Sequence, residues 1–155
     1  GKSDGQSDRD ASADADAQVL AERAIECGSY KCQVGTEVCC RTRNAQTAVF
    51  TCTPPGACPT SPDASVLAIP CDHNDDCAAQ GLIGNVCCVS FGTGIISRVA
   101  CTPIAQCVFA TTTTTFMCNP ARDDAFNCPA PTGSTDLECT PNPSISFPYG
   151  LCRAM

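Results

Sequence analysis

Residues 27–58 read CGSYKCQVGTEVCCRTRNAQTAVFTCTPPGAC. Six cysteines fall here in the order single, single, adjacent pair, single, single: Cys27, Cys32, Cys39-Cys40, Cys52 and Cys58, with spacing C-x4-C-x6-CC-x11-C-x5-C. The order returns as Cys71, Cys77, Cys87-Cys88, Cys101 and Cys107, spaced C-x5-C-x9-CC-x12-C-x5-C. The neighbours repeat as well. Glu37-Val38 and Asn85-Val86 precede the adjacent pairs, and Cys52-Thr53-Pro54 parallels Cys101-Thr102-Pro103. A third group, Cys118, Cys128, Cys139 and Cys152, has four members. Sixteen cysteines in 155 residues exceed the level at which a disulfide scaffold becomes the default reading. An even count in each group is what local pairing requires. Zinc ribbons and fingers carry short C-x2-C or H-x3-H knuckles. This chain has no C-x2-C, and His73 is its single histidine. The cysteines are therefore read as disulfides, which persist only in an oxidising compartment.

The rest of the composition supports small stapled units over one ordinary core. There is no Trp, and there are only two Tyr and six Phe against twelve Pro. Units of about 35–40 residues need staples, and a bridge closing a ~15-residue loop stabilises by roughly 3 kcal/mol. Loss of one bridge is then expected to unfold one unit and leave its neighbours standing. The net charge of −7 disfavours nucleic acid and anionic membrane surfaces as partners. No run of about 18 apolar residues offers a membrane span, and no signal peptide is recognisable. The chain reads as the mature form of an exported protein, extracellular or on a cell surface, with no cofactor.

Residues 1–11 form a polar, acidic leader that cannot bury enough surface to order itself. It resembles the tether after the lipid-modified cysteine of bacterial lipoproteins, but a lipid anchor would need such a cysteine upstream. A helix is expected over 12–28, with Ser12 as cap, Asp14 and Asp16 in its first turn, and Val19, Leu20, Ala24 and Cys27 at helical spacing. Gly28 ends it in a left-handed conformation. The first disulfide module covers 27–58 and the second 71–107, separated by a Pro/Ser/Ala linker at 59–70 expected to be extended, with Val66-Leu67 packing on a neighbour. Ala48-Val49-Phe50-Thr51 and Ile95-Ile96-Ser97-Arg98-Val99 read as strands, entered by turns at Asn44-Ala45 and Gly92-Thr93-Gly94. Residues 108–117 form a Thr-rich strand or linker of high β-propensity, and the third module fills 118–155. The expected fold is small, disulfide-rich and mainly β: three tandem cystine-braced β-hairpin modules with a short N-terminal helix.

The order single, single, pair, single, single resembles that of cystine-knot miniproteins (knottins) and hevein-like domains. Six cysteines allow 15 connectivities. The resemblance implies one of them, 1–4, 2–5, 3–6, which here is Cys27–Cys40, Cys32–Cys52 and Cys39–Cys58, then Cys71–Cys88, Cys77–Cys101 and Cys87–Cys107. The third group can be laid on the others with either its third and sixth or its first and fourth cysteines missing. Under the implied connectivity both give Cys118–Cys139 and Cys128–Cys152. Cys71-Asp72-His73-Asn74-Asp75-Asp76-Cys77 with its adjacent pair also resembles whey-acidic-protein domains, which carry eight cysteines and not six. No module has the clustered aromatic platform that hevein-type carbohydrate binding needs.

Little in the sequence points to catalysis. His73 is the only imidazole available as a base, and it reads as a solvated loop residue. Asp72, Asn74 and Asp76 form a D-x-N-x-D run with the spacing of a calcium loop, but the positions that should hold Gly and Glu are Cys77 and Ile83. Arg41 and Arg43 follow an adjacent pair, on what should be an exposed rim. Ser90-Phe91 holds the corresponding place in the second module. Rigid loops at Arg41–Arg43 and Phe91 suit a protease inhibitor, since preorganisation lowers the cost of binding. Thr111, Thr112, Thr113, Thr114 and Thr115 form an uncharged run. It reads as an inter-module spacer, an O-glycosylated stretch, or an open strand edge that pairs with another chain. The leading expectation is a non-catalytic structural or adhesive subunit of an extracellular assembly, partnered by copies of itself in an oligomer or filament, or by another surface protein. The alternative is a secreted protease inhibitor.

Overall fold

A computed structural model describes residues 23–93, 95–107, 114–121, 128–129, 137–141 and 149–154. Among these residues lie ten strands and one short helix. The leader, residues 12–22 of the expected helix and Thr111–Thr113 lie outside the described residues. Ala24–Cys27, assigned above to that helix, is instead a strand, β1, paired antiparallel with β2 (Tyr30–Gln33). Burial alternates along β1, with Ile25 and Cys27 inside. This period of two outweighs the sparse helical spacing of Ala24 and Cys27. Gly28 does adopt a left-handed φ of 62°, but in the two-residue Gly28-Ser29 hairpin loop. A β-carbon there would lie 3.0 Å from Phe50 Cβ, so glycine is required for conformation and for space.

The first cysteine-pair strand, β3 (Val38–Arg43), pairs with β4 (Ala48–Thr53) on one side and β5 (Ser65–Ile69) on the other. Asn44 closes the β3–β4 turn, its Oδ1 accepting from the Thr47 N–H at 2.8 Å. Within the expected linker, residues 62–64 turn and residues 65–69 form β5, so its second half is a strand of the first module's sheet, with Leu67 and Ile69 buried. In the second module, helix α1 (Asn74–Ala79) precedes β6 (Asn85–Gly92) and β7 (Ile95–Pro103). Next come β8 (Thr114–Cys118), β9 (Leu137–Pro141) and β10 (Gly150–Ala154). Three antiparallel sheets result: β1-β2, β4-β3-β5 and β7-β6-β8-β10-β9.

All sixteen cysteines are paired, and the connectivity corrects the one implied by the knottin and hevein resemblance. The first module holds Cys27–Cys39, Cys32–Cys52 and Cys40–Cys58. The second holds Cys71–Cys87, Cys77–Cys101 and Cys88–Cys107. The order is 1–3, 2–5, 4–6. Its cause is the strand pleat. Neighbouring residues on a strand point to opposite faces, so the two members of a cysteine pair cannot serve the same side. Cys39 lies directly across from Cys52, and Cys87 from Cys101, so the third and fifth cysteines share a face. The segment carrying the first two cysteines bonds both on that face, and the fourth is left to reach the sixth on the other.

The third module has Cys118–Cys139 and Cys128–Cys152, the two bridges expected, but through a different equivalence. Cys139 lies opposite Cys152, as the third cysteine lies opposite the fifth elsewhere. Thr140 therefore stands where the fourth would be, and the missing bridge is 4–6. Two cystines stack in every module: sulfurs of Cys27, Cys32 and Cys52 lie within 4.8 Å of one another, as do those of Cys71, Cys77 and Cys101 and those of Cys118, Cys128 and Cys152.

The modules share their interior. One apolar cluster joins Ile25, Leu67 and Ile69 to Val89, Ile96 and Val99 and to Met117, Tyr149 and Leu151. On the opposite face of β6 and β8, Val86, Cys88, Phe116 and Cys118 form a second cluster with Cys107 and Cys152. β8 also joins the modules, since Thr114–Phe116 pair with β6 and Met117–Cys118 with β10.

Candidate functional site

The polar residues singled out in the second module meet at the junction of all three. Asp72, His73 and Asp76 are fully buried and Asn74 nearly so. The expected solvated loop histidine is thus an interior residue. His73 caps α1, its Nδ1 accepting from the Asp75 N–H at 3.1 Å. Asp76 Oδ2 accepts from the N–H groups of Asp72 at 2.9 Å and His73 at 3.0 Å. Asn74 Oδ1 accepts from the Cys87 N–H at 3.0 Å, tying the helix to β6. Asp72 Oδ2 accepts from the Glu26 N–H on β1 at 2.9 Å and from Asn119 Nδ2 at 3.1 Å. Tyr149 donates its hydroxyl proton to the Glu26 carbonyl. The Glu26 peptide is therefore held at N–H by the second module and at C=O by the third.

This arrangement bears on the calcium reading. Asp72 and Asn74 direct these oxygens to N–H groups on β1 and β6, and Asp76 to those at the entry to α1, so the run serves as a capping and docking device. The sulfur groups with metal-like spacing are all engaged in disulfides. Burial, reinforced by the Asp72 and Glu26 carboxylates and opposed by Arg41, holds the Tyr149 hydroxyl far above the usual tyrosine range. Tyr149 and Asn119 carried no local sequence signal, because their role depends on partners 123 and 47 residues away.

The expected inhibitor rim is not assembled as read. Arg41 is 4% exposed, in the middle of the three-stranded sheet between Phe50 and Leu67. Burial and the neighbouring Arg43 hold its guanidinium below its ordinary value, with Tyr149 opposing. Arg41 shares the face of β3 with Cys39, a member of the main apolar cluster, so it is turned to the interior instead of to a rim. Phe91 is half-buried and packs against the main cluster. Arg43 alone of the three is exposed, at the end of β3 beside the Asn44 turn.

The Thr run is corrected in a similar way where it is described. Thr114 and Thr115 lie in β8, which is interior to the five-stranded sheet, and Thr115 Oγ1 donates to the Cys152 carbonyl at 3.1 Å. Thr114 and Thr115 thus already have a partner strand on the β6 side. Among the described residues, the large apolar side chains left in solvent are Tyr30, Val49, Leu82, Ile83, Ile95 and Ile104. Among the described residues, no helix is long and apolar enough to cross a membrane. No protein-family model, curated protein or solved structure matches this chain.

Proposed function

We propose that the protein is a non-catalytic structural or adhesive component of the extracellular space or a cell surface, and that it works as a subunit of a larger assembly. One observation carries this reading: three modules, braced by eight disulfides, share one core whose buried polar side chains serve to join them. A scaffold of this kind keeps its shape in an oxidising environment and displays strand edges and hairpin tips. Sedimentation velocity of the oxidised protein across a concentration series tests it. Association beyond the monomer is expected, and a strict monomer at every concentration overturns the assembly reading.

The inhibitor reading keeps one support, the exposed Arg43 beside a side-chain-organised turn. Trypsin-like proteases titrated with excess protein would lose activity if Arg43 fills their specificity pocket. Full activity with cleavage after Arg43 ends that alternative.

A further inference from the structure

We propose that β4 is the assembly edge and that its partner is β4 of a second copy, the two strands pairing antiparallel about a twofold axis. This deepens the assembly reading and rests on it. Natural sheets blunt exposed edges with charge, proline, bulges or a covering element. The other edges here carry such devices. β1 and β2 bear the Glu26–Lys31 ion pair at 3.6 Å, and the Glu26 peptide is occupied. β7 carries Arg98 and a register shift opposite Ser90/Phe91. β5 is packed against β7. β9 contains Glu138 and ends at Pro141.

β4 is contacted by the β1–β2 hairpin through the Cys32–Cys52 bridge, but it carries none of the charge, proline or bulge devices of the other edges. Its sequence, Ala48-Val49-Phe50-Thr51-Cys52-Thr53, has no charge and no proline. Its pairing with β3 runs without a register shift, and among the described residues no strand pairs with its other side. Val49 stands 56% exposed on it, and Ala48 and Thr51 are exposed as well.

A second copy fits this edge better than an unrelated strand would, because the edge is self-complementary. A twofold axis normal to the sheet keeps the faces in common, so Val49, Thr51 and Thr53 of one copy meet the same three residues of the other. All are β-branched and suited to cross-strand contact. Two copies of a chain with net charge −7 repel each other, and an uncharged edge is where that repulsion is least concentrated. The interface is isologous and closes at the dimer. The result would be a six-stranded sheet, β5-β3-β4 with its symmetry mate.

The test is sedimentation of the oxidised full chain at low and high salt, with Val49→Lys, Thr51→Lys and Ile83→Lys compared. Val49 and Thr51 are both exposed, so these variants retain their packing, which absence of free thiols verifies. The parent and Ile83→Lys are expected to be dimers, more so at high salt, and Val49→Lys and Thr51→Lys to lose the dimer. Hydrogen exchange at β4 amides should be slower in the dimer than in the lysine variants. A parent that associates equally well with either β4 lysine, or that grows past the dimer into filaments, overturns β4 pairing while leaving the assembly reading in place. A parent that stays monomeric throughout overturns both.

Discussion

Tyr149 holds the first and third modules together through one hydroxyl. Its proton goes to the Glu26 carbonyl, and Tyr149→Phe leaves that carbonyl without this donor. A loss of about 1–3 kcal/mol is expected in chemical denaturation. The same residue sets an alkaline limit. Burial raises its pKa in the folded state above the unfolded value of about 10, so the unfolded chain releases this proton first. Its contribution is complete below pH ~10 and declines as pH rises beyond it. Tyr149→Phe should remove that part of the alkaline slope, measurable by unfolding midpoints from pH 8 to 11. Gly28 is equally exacting. Gly28→Ala introduces a side chain at φ 62° and 3.0 Å from Phe50 Cβ, and should cost about 1–3 kcal/mol.

At the scale of the element, the adjacent cysteine pair acts as a two-sided clamp. Cys39 fastens the β1–β2 hairpin on one face of β3, and Cys40 fastens the segment after β4 on the other. The third module dispenses with the second function, having Thr140 in place of the fourth cysteine. Replacing Cys40 and Cys58 together by Ala should therefore leave the first module folded, with a loss near 3 kcal/mol for a loop of 18 residues. Partial reduction followed by stepwise alkylation and mass mapping checks the pairing. Recovery of Cys27–Cys40 would restore the knot connectivity and refute the pleat argument.

The cysteine order made much of this legible. The hairpins of β3–β4 and β6–β7 and their turns follow from local β-propensity, turn residues and repeat spacing. The pairing within each module was not legible, because it depends on which face of β3 meets the β1–β2 hairpin. The assignment of Ala24 and Cys27 to a helix failed for a related reason. The helical spacing of these few apolar residues is weak evidence beside the antiparallel pairing that β2 offers to β1.

At the scale of the whole molecule, the modules are units of sequence more than of stability. β8 is shared by two of them, and Asp72 is bound to residues of the other two. The expectation that each module unfolds alone gives way to a coupled transition. Asp72→Ala should weaken protection from hydrogen exchange in β1 and around Asn119 as well as in α1. Protection lost in α1 alone would mean that the modules are energetically separate.

By itself the sequence determined the disulfide character, the mainly β fold class and the hairpins of β3–β4 and β6–β7, because these rest on cysteine count, spacing and local propensity. Only the tertiary structure decided three further matters. The pleat and register chose which member of each cysteine pair meets which partner. The merging of sheets paired Thr114 and Thr115 with β6 and left β4, among the described residues, with one unpaired side. The shared core turned Asp72, His73, Asn74, Asp76 and Arg41 inward. Each depends on contacts between residues far apart in the chain, and such contacts leave no mark on the spacing of neighbours.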